Sequence, residues 1–379
     1  MTKILPVEAV RTGPPLAVAH RAAGRPSRAR LAVFNVASRV TLRALPKIPD
    51  RVKRLLLGGR TITIDGNTLD TTLQLMLALQ RSSRVGGLVA SADIAVARTQ
   101  LRKLAAIIAP AIAVGVTDIA LPGPAGPMRA RHYIPVTTVS AEPLLLFFHG
   151  GGFSIGDIET HDGLCRLLCR DAGVHVLSVD YRLAPEHKAP AALQDSYAAY
   201  RWALEHATEL GADPTRIAVG GDSAGGNLAT VVSQQARNDG VQLPILQLLL
   251  YPVTQFGGET RSMTLFADGY YLARDDMDWF NDNYLSGASV AMTDPSVSPL
   301  RADDLSGLPP ALLVTGGFDP LRDEGNQYAE ALAAAGVAVD HRQYGSMVHA
   351  FANFFPLGGG SATAMTDVVS ALRAHLCRT

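Results

Sequence analysis

The sequence predicts an α/β fold: a mostly parallel eight-stranded sheet with helices on both faces and a helical cap. Three observations carry this. From about residue 111, short apolar runs of strand length alternate with longer segments of helical periodicity, the pattern of a parallel sheet covered on both sides. Before that point the chain reads as all-helical. The 379 residues are 47% apolar and only 18% charged, enough for a large core and unlike a disordered chain.

Taken in order, residues 1–26 are rich in Ala, Pro, Gly and Arg and are expected to be poorly ordered. Residues 27–45 carry Leu31, Phe34, Leu42 and Leu45 at helical positions among Arg28, Arg30, Arg39 and Arg43, and Pro46 and Pro49 end the run. A basic turn or helix follows at 51–57, closed by Gly58-Gly59. A helix is expected over 68–80, capped by Asn67 or Thr68, with Leu69, Leu73, Leu75, Met76 and Leu79 apolar. Another covers 91–107, stopped by Pro110. Residues 114–121 and 128–134 read as a hairpin turned by the Pro/Gly cluster 122–127. Strands then fall at 144–149, 175–180, 216–220, 245–251, 311–315 and 337–344, and helices at 161–172, 189–210, 224–237, 322–335 and 362–376. Residues 254–308 are irregular except for a helix near 275–285. The expected organisation is a basic N-terminal extension over 1–60, a helical cap over 61–110, and a catalytic domain over 111–379 with a cap insertion at about 254–290.

Formal net charge is zero, 34 Lys+Arg against 34 Asp+Glu, which argues against a nucleic-acid partner. The zero hides an asymmetry. Residues 1–60 hold 13 Lys/Arg and two acids, +11, which leaves −11 on the remainder. Either the basic piece packs against the acidic body, or residues 27–57 make a peripheral contact with an anionic membrane. Cys165, Cys169 and Cys377 fit neither a disulfide framework nor a zinc pattern. No apolar run is long enough to span a bilayer, and no secretory signal is visible, so a reducing cytoplasmic setting is expected.

The chemistry is concentrated in four places. Gly221-Asp222-Ser223-Ala224-Gly225 lies between an expected strand and an expected helix, the setting of a nucleophile elbow. Its glycines permit the tight turn, and the helix N-terminus behind Ser223 favours developing negative charge. His149-Gly150-Gly151-Gly152-Phe153 follows another strand and leaves backbone N–H groups uncovered. Gly151 and Gly152, joined by Ala224, are the candidate oxyanion-hole donors. A phosphate loop is the rival reading, but neither a Lys-Ser/Thr nor a dinucleotide fingerprint accompanies these glycines. His149 itself reads as a hydrogen-bonding residue that orients the loop. A nucleophilic serine needs a base, and the base an orienting acid, in the chain order Ser, acid, His. Of the three histidines beyond Ser223, His341 falls in a strand and His375 near the end of a helix. His349 lies in the loop after the last strand and is the candidate base. Asp319 follows the preceding strand and is held out of the next helix by Pro320. Asp323 and Glu324 read as first-turn acids that complement the helix dipole.

Together the His149–Gly152 loop, the elbow 221–226, Asp319-Pro320-Leu321-Arg322-Asp323 and His349-Ala350-Phe351 resemble the hormone-sensitive-lipase-type esterases, which are α/β-hydrolases and include many bacterial carboxylesterases. Asp180-Tyr181-Arg182-Leu183-Ala184-Pro185-Glu186 is similar to a further segment of that family, with Arg182 and Glu186 as candidates for internal ion pairs. The resemblance covers about residues 95–379. It implies a Ser223–His349–Asp319 triad, no cofactor and no metal, and hydrolysis of carboxylic esters of short to medium acyl chain. It also implies a cap made of the N-terminal helices and the insertion, and a homodimer formed through the edge strand 337–344. Met76, Leu79, Met263, Phe266, Tyr270, Tyr271, Trp279 and Phe280 are expected to line the pocket or to pack the cap. Alternatives are a non-catalytic receptor of the same fold, against which His349 argues, and a lipase or amidase for long-chain or amide substrates. Residues 1–60 lie outside the family core.

Overall fold

A computed structural model describes residues 42–82, 87–136 and 142–376. Residues 1–26, most of the helix expected over 27–45, and Cys377 lie outside them. The described residues belong to one unit, Arg39–Thr379.

Eight strands form one sheet. They are β1 Gly115–Gly123, β2 Gly126–Ile134, β3 Glu142–Phe148, β4 His175–Val179, β5 Ala212–Asp222, β6 Gln247–Leu250, β7 Ala311–Phe318 and β8 Val339–Val348. Their order is β8-β7-β6-β5-β3-β4-β2-β1. The β1–β2 hairpin and the β2–β4 pair are antiparallel, and every other neighbour is parallel. β3 shows why the sheet is covered on both faces. Leu145 and Phe147 enter one buried cluster with α4 (Ile158–Ala172) and α10 (Gly359–Leu376). Leu144, Leu146 and Phe148 enter the other with α5 (Ala191–His206), α6 (Ala224–Asn238) and α9 (Arg322–Ala334). A strand that is apolar at every position from Pro143 to Phe148 has no face to give to water.

The remaining helices are α1 (Asp50–Leu56), α2 (Thr71–Ser82), α3 (Ile94–Ile108), α7 (Arg261–Leu265) and α8 (Arg274–Leu285). Four expectations change. The first 110 residues are not all-helical, because Thr63–Ile64 pairs with Asn67–Thr68 in a short ribbon. Its turn is Asp65-Gly66, both at positive φ (54° and 74°), a hairpin signal present in the sequence. With Asn67 and Thr68 used in the ribbon, the cap of α2 is Asp70, whose Oδ1 accepts from the N–H groups of Thr72 (2.9 Å) and Leu73 (3.0 Å). α4 begins at Ile158 rather than 161, where Asp157 and Thr160 form a capping box. The segment 254–308 holds a second helix, α7.

β8 lies at the sheet edge, where the sequence placed it. The N–H of Asp70 donates to the Ser346 carbonyl (3.0 Å), so the ribbon and its flank shelter the C-terminal end of that strand. Among the described residues no helix is long and apolar enough to cross a membrane.

Candidate active site

The sheet register assembles the site. Phe148 lies opposite Gly221, and Asp222 opposite Leu250, so the residue after β5 emerges at the centre of the sheet's carboxyl edge. That residue, Ser223, sits at φ 55°, ψ −116°, a backbone strain that costs roughly 1–3 kcal/mol. Two glycines allow the turn. A Cβ on Gly225 would lie 1.8 Å from the Phe148 carbonyl oxygen, and one on Gly221 2.3 Å from the same atom. The Ser223 N–H donates to Leu250 O (2.9 Å), which pins the elbow to β6.

Val348 of β8 pairs with Phe318 of β7, so the next residues of both strands, His349 and Asp319, leave the sheet side by side. His349 Nδ1 lies 2.8 Å from Asp319 Oδ2, and Nε2 lies 3.0 Å from Ser223 Oγ. The carboxylate can only accept, so Nδ1 carries the proton and Nε2 offers its lone pair to the serine hydroxyl. Asp319 is fully buried, and its Oδ1 accepts from Leu321 N–H (2.8 Å), which fixes the carboxylate plane. The ring of Tyr251 meets His349 edge-on at 4.9 Å and closes the other side.

Gly151, Gly152 and Phe153 all have positive φ (117°, 56° and 59°), so this loop turns its amides in succession. Ala224 opens α6, where the first-turn N–H groups have no acceptor inside the helix. His149 is buried. Its Nδ1 lies 2.9 Å from Gly150 O, its ring stacks on Tyr181 at 4.3 Å, and Tyr181 Oη donates to His149 O (2.6 Å). Burial, then the neighbouring His161, lowers the His149 imidazole to about 4, so it is neutral at physiological pH.

Asp222, within the elbow, was not singled out from the sequence. Its Oδ1 accepts from Gly150 N–H (2.8 Å), its Oδ2 accepts from Asn353 Nδ2 (3.0 Å), and His161 Nε2 approaches it at 3.2 Å. One buried carboxylate thus ties the elbow to the oxyanion loop, to α4 and to the turn after His349. Burial alone would raise Asp222, but His161 and the Gly150 N–H outweigh it and hold the carboxyl below its ordinary value.

The expected ion-pair candidates find partners, though not each other. Arg182 pairs with Asp195 (2.8 Å), and Glu186 accepts from the two terminal nitrogens of Arg98, Nη2 at 2.7 Å and Nη1 at 2.8 Å. Arg98, on α3, also donates to the carbonyls of Ser154 (2.8 Å) and Ala184 (2.9 Å), and Arg102 pairs with Asp157 at the α4 cap. These contacts fasten the N-terminal helix to the loop just past the glycines. Asp276 of α8 accepts from the N–H groups of Leu88 (3.1 Å), Val89 (3.1 Å) and Ala273 (3.0 Å), joining the insertion to the same N-terminal segment.

Two cavities meet at Ser223. The larger, about 290 Å³, is lined by His349, Asn353, Phe354, Tyr271, Leu101 and Ile108 among others. The smaller, about 170 Å³, is lined by Gly152, Phe153, Val253, Met263, Phe280 and Glu324 among others. Of the aromatic and Met/Leu residues expected at the cap, Tyr271, Met263 and Phe280 line a cavity. Met76, Leu79, Phe266 and Tyr270 pack in the core, and Trp279 packs against the cap cluster. Glu324, read from the sequence as a helix-dipole acid, is fully buried. No periodicity in the first turn of α9 distinguishes it from Asp323.

A serine, an imidazole and a carboxylate in hydrogen-bond series, behind a glycine loop at the carboxyl edge of this sheet, belong to the hydrolases. Comparison with known proteins agrees. Residues 145–353 match the family model for the alpha/beta hydrolase fold, and the chain belongs to that family. It is 56% identical over 345 residues to "Carboxylic ester hydrolase LipN" of Mycobacterium tuberculosis, covering 89% of this chain and 92% of that protein. It is 43% identical to "Esterase LipI" of the same organism, over 69% of this chain and 82% of that one. Among solved structures, an ester hydrolase from the metagenome of Lake Arreo, complexed with a bipyridine phosphonate derivative, matches at TM-score 0.75 and 41% identity, over 80% of this chain and 96% of that one. Within the family, this chain is a hormone-sensitive-lipase-type carboxylesterase, an enzyme of the carboxylic ester hydrolase class.

Proposed function

We propose that the protein hydrolyses carboxylic esters of short to medium acyl chain through an acyl-enzyme on Ser223. The observation that carries this is the continuous series from Asp319 through His349 to Ser223 Oγ, open to two cavities. His349 Nε2 takes the hydroxyl proton as Oγ attacks the ester carbonyl carbon. The backbone N–H groups of Gly151, Gly152 and Ala224 receive the oxyanion. The imidazolium, held by Asp319, returns the proton to the leaving alkoxide, and water repeats the sequence on the acyl-enzyme. The alcohol must leave within reach of Nε2, so the cavity lined by His349 and Asn353 is the alcohol side. The acyl chain then occupies the smaller cavity beside Gly152 and Phe280. Its volume of about 170 Å³ is below the roughly 300–1,000 Å³ of drug-sized pockets and suits a short chain. Across p-nitrophenyl esters from acetate to palmitate, kcat/KM is expected to peak at butanoate or hexanoate. A maximum on emulsified long-chain ester would overturn the reading.

Among the described residues, one helix supports a peripheral membrane contact. On α1, Leu55, Leu56 and Val52 are 78%, 62% and 39% exposed beside Arg51 and Arg54. Lys53 is turned inward, with Nζ on Thr72 Oγ1 (2.8 Å), so it is not part of that surface. Apolar side chains flanked by arginines fit an anionic bilayer. The expected result is sedimentation with phosphatidylserine vesicles that high salt weakens and the Leu55→Glu/Leu56→Glu double variant abolishes. Binding that survives the double variant would exclude α1. A homodimer through the open edge Val339–Tyr344 completes this reading, with twice the chain mass of 40.1 kDa expected by light scattering. The cytoplasmic setting is supported by Cys165 and Cys169, both buried free thiols.

A further inference from the structure

Arg98 sits on α3 and lines neither of the two cavities, yet it grips the glycine loop by its backbone. Its Nε donates to the Ser154 carbonyl (2.8 Å) and its Nη2 to the Ala184 carbonyl (2.9 Å). Glu186 holds the terminal nitrogens of the guanidinium from the other side. The Ala184 N–H in turn donates to the Phe153 carbonyl (2.8 Å). One arginine therefore fixes two successive peptide groups, one directly and one through Ala184. A trans peptide group is planar, and its N–H points opposite to its C=O. With the Ser154 carbonyl on Arg98, the Ile155 N–H points the other way and donates to the Gly151 carbonyl (2.9 Å). With the Phe153 carbonyl on Ala184, the Ser154 N–H donates to the same oxygen (3.1 Å). The Gly151 carbonyl belongs to the peptide group that carries the Gly152 N–H. The direction of that N–H is thus set two peptide planes away, at Arg98. The turn between them is tight and strained. A Cβ on Gly151 would lie 2.2 Å from the Ile155 carbonyl oxygen, and Phe153 has φ 59°. A non-glycine residue in that region persists only where its surroundings hold it.

We propose that Arg98 is a positioning residue of the reaction: by docking α3 onto the loop, its guanidinium aims the Gly152 N–H at the oxyanion. The inference rests on the reading of Gly152 as an oxyanion donor. It makes the N-terminal helix part of transition-state stabilisation as well as a cover for the pocket. None of these hydrogen bonds reaches Ser223, His349 or Asp319, so loss of Arg98 leaves the nucleophile and its base in place and moves the donor.

The test is Arg98→Ala in the full chain, read with p-nitrophenyl butanoate and with an alkyl trifluoromethyl ketone as a reversible inhibitor. Ser223 Oγ adds to the ketone carbon, its proton passes to His349, and the carbonyl electron pair comes to rest on oxygen as a hemiketal oxyanion. That adduct depends on the same donors as the transition state. In Arg98→Ala kcat is expected to fall about 10- to 100-fold, the cost of a misplaced catalytic group, while KM stays near the wild-type value. The inhibition constant of the ketone should rise by a comparable factor. A purely structural role would lower the melting temperature and the fraction of active protein, and would leave that constant unchanged. A wild-type inhibition constant in folded Arg98→Ala therefore overturns the proposal even where kcat is lower. An unaltered kcat, or a loss confined to KM, overturns it as well. If Arg98→Ala does not fold, Arg98→Lys is read in the same way. Lysine keeps the charge beside Glu186 but lacks the planar fork that serves two carbonyls and a carboxylate together, so the inhibition constant should again rise. A wild-type constant in that variant overturns the proposal. The two readings fail differently. Ester turnover and ketone binding that Arg98 does not affect refute this inference alone. A wild type that neither turns over esters nor binds the ketone refutes the esterase reading and this inference together.

Discussion

Ser223→Ala is expected to lower kcat/KM for p-nitrophenyl butanoate by about 10⁵–10⁶-fold, with the fold intact. The magnitude follows from what the hydroxyl does. It is the atom that forms the acyl bond, and nothing else among the described residues offers a nucleophile at that position. His349→Ala should cost about as much, because a serine without its base is a weak nucleophile at neutral pH. The double variant should be no worse than either single one, since the residues act as one unit. Residual turnover of about 10³–10⁴ over water is expected from the glycine loop and binding alone. Circular dichroism and melting temperature separate loss of chemistry from loss of fold. Near wild-type turnover in either folded single variant would remove Ser223 or His349 from the mechanism.

Asp222→Ala is expected to damage both stability and rate. The carboxylate holds Gly150 N–H, Asn353 and His161 at once, and all three interactions are buried or nearly so. Removing one partner of a buried pair leaves the other uncompensated, at about 3–5 kcal/mol. The melting temperature should fall by on the order of 10 °C. Releasing Gly150 also frees the residues that follow it, and a misplacement of about 1 Å at a catalytic group costs on the order of 10² in rate. The loss should appear in kcat rather than KM, because the loop positions N–H groups that act on the transition state. Asp222→Asn keeps an acceptor for Gly150 and isolates the charge. Burial pushes His161 down, but Asp222 outweighs it and raises the imidazole above its ordinary 6.5. Its contribution to stability is therefore full below that value and lost as pH rises through the raised one. Asp222 has a lowered value, so its own contribution is lost only in acid. The wild type's advantage in melting temperature over Asp222→Asn should then shrink as the pH is raised past the imidazole's ordinary 6.5. A constant advantage would mean that the pair is not charged.

Local and distant constraints leave different marks on this chain. Gly221 to Gly225 declare an elbow because its steric demand is local: the same few residues that make the turn must avoid each other and the neighbouring strand. The loops that carry Asp319 and His349 were legible for a related reason. Both follow apolar runs too short for helices, and parallel strands deliver their next residues to one edge. The ribbon at Asp65-Gly66 was legible too, in a dipeptide that favours positive φ, but the helical pattern on both sides concealed it.

Other residues had no local signal. Asp222 and Glu324 are acids in ordinary positions, one inside a glycine turn and one in a first helical turn. Lys53 is one of thirteen basic residues in the first sixty. Their meaning depends on what lies opposite: His161 and Asn353 for Asp222, Thr254 for Glu324, Thr72 for Lys53. Periodicity and backbone sterics act over a few residues, so the alternation of strands and helices, the elbow, the glycine loop and the order of serine, acid and histidine are all readable along the chain. Which acids are buried, which arginines fasten the cap, and how two cavities divide the space around Ser223 follow from packing between distant segments. Burial and partnership join residues far apart in the chain, and a charge is costly or cheap according to that company rather than to its place in the sequence.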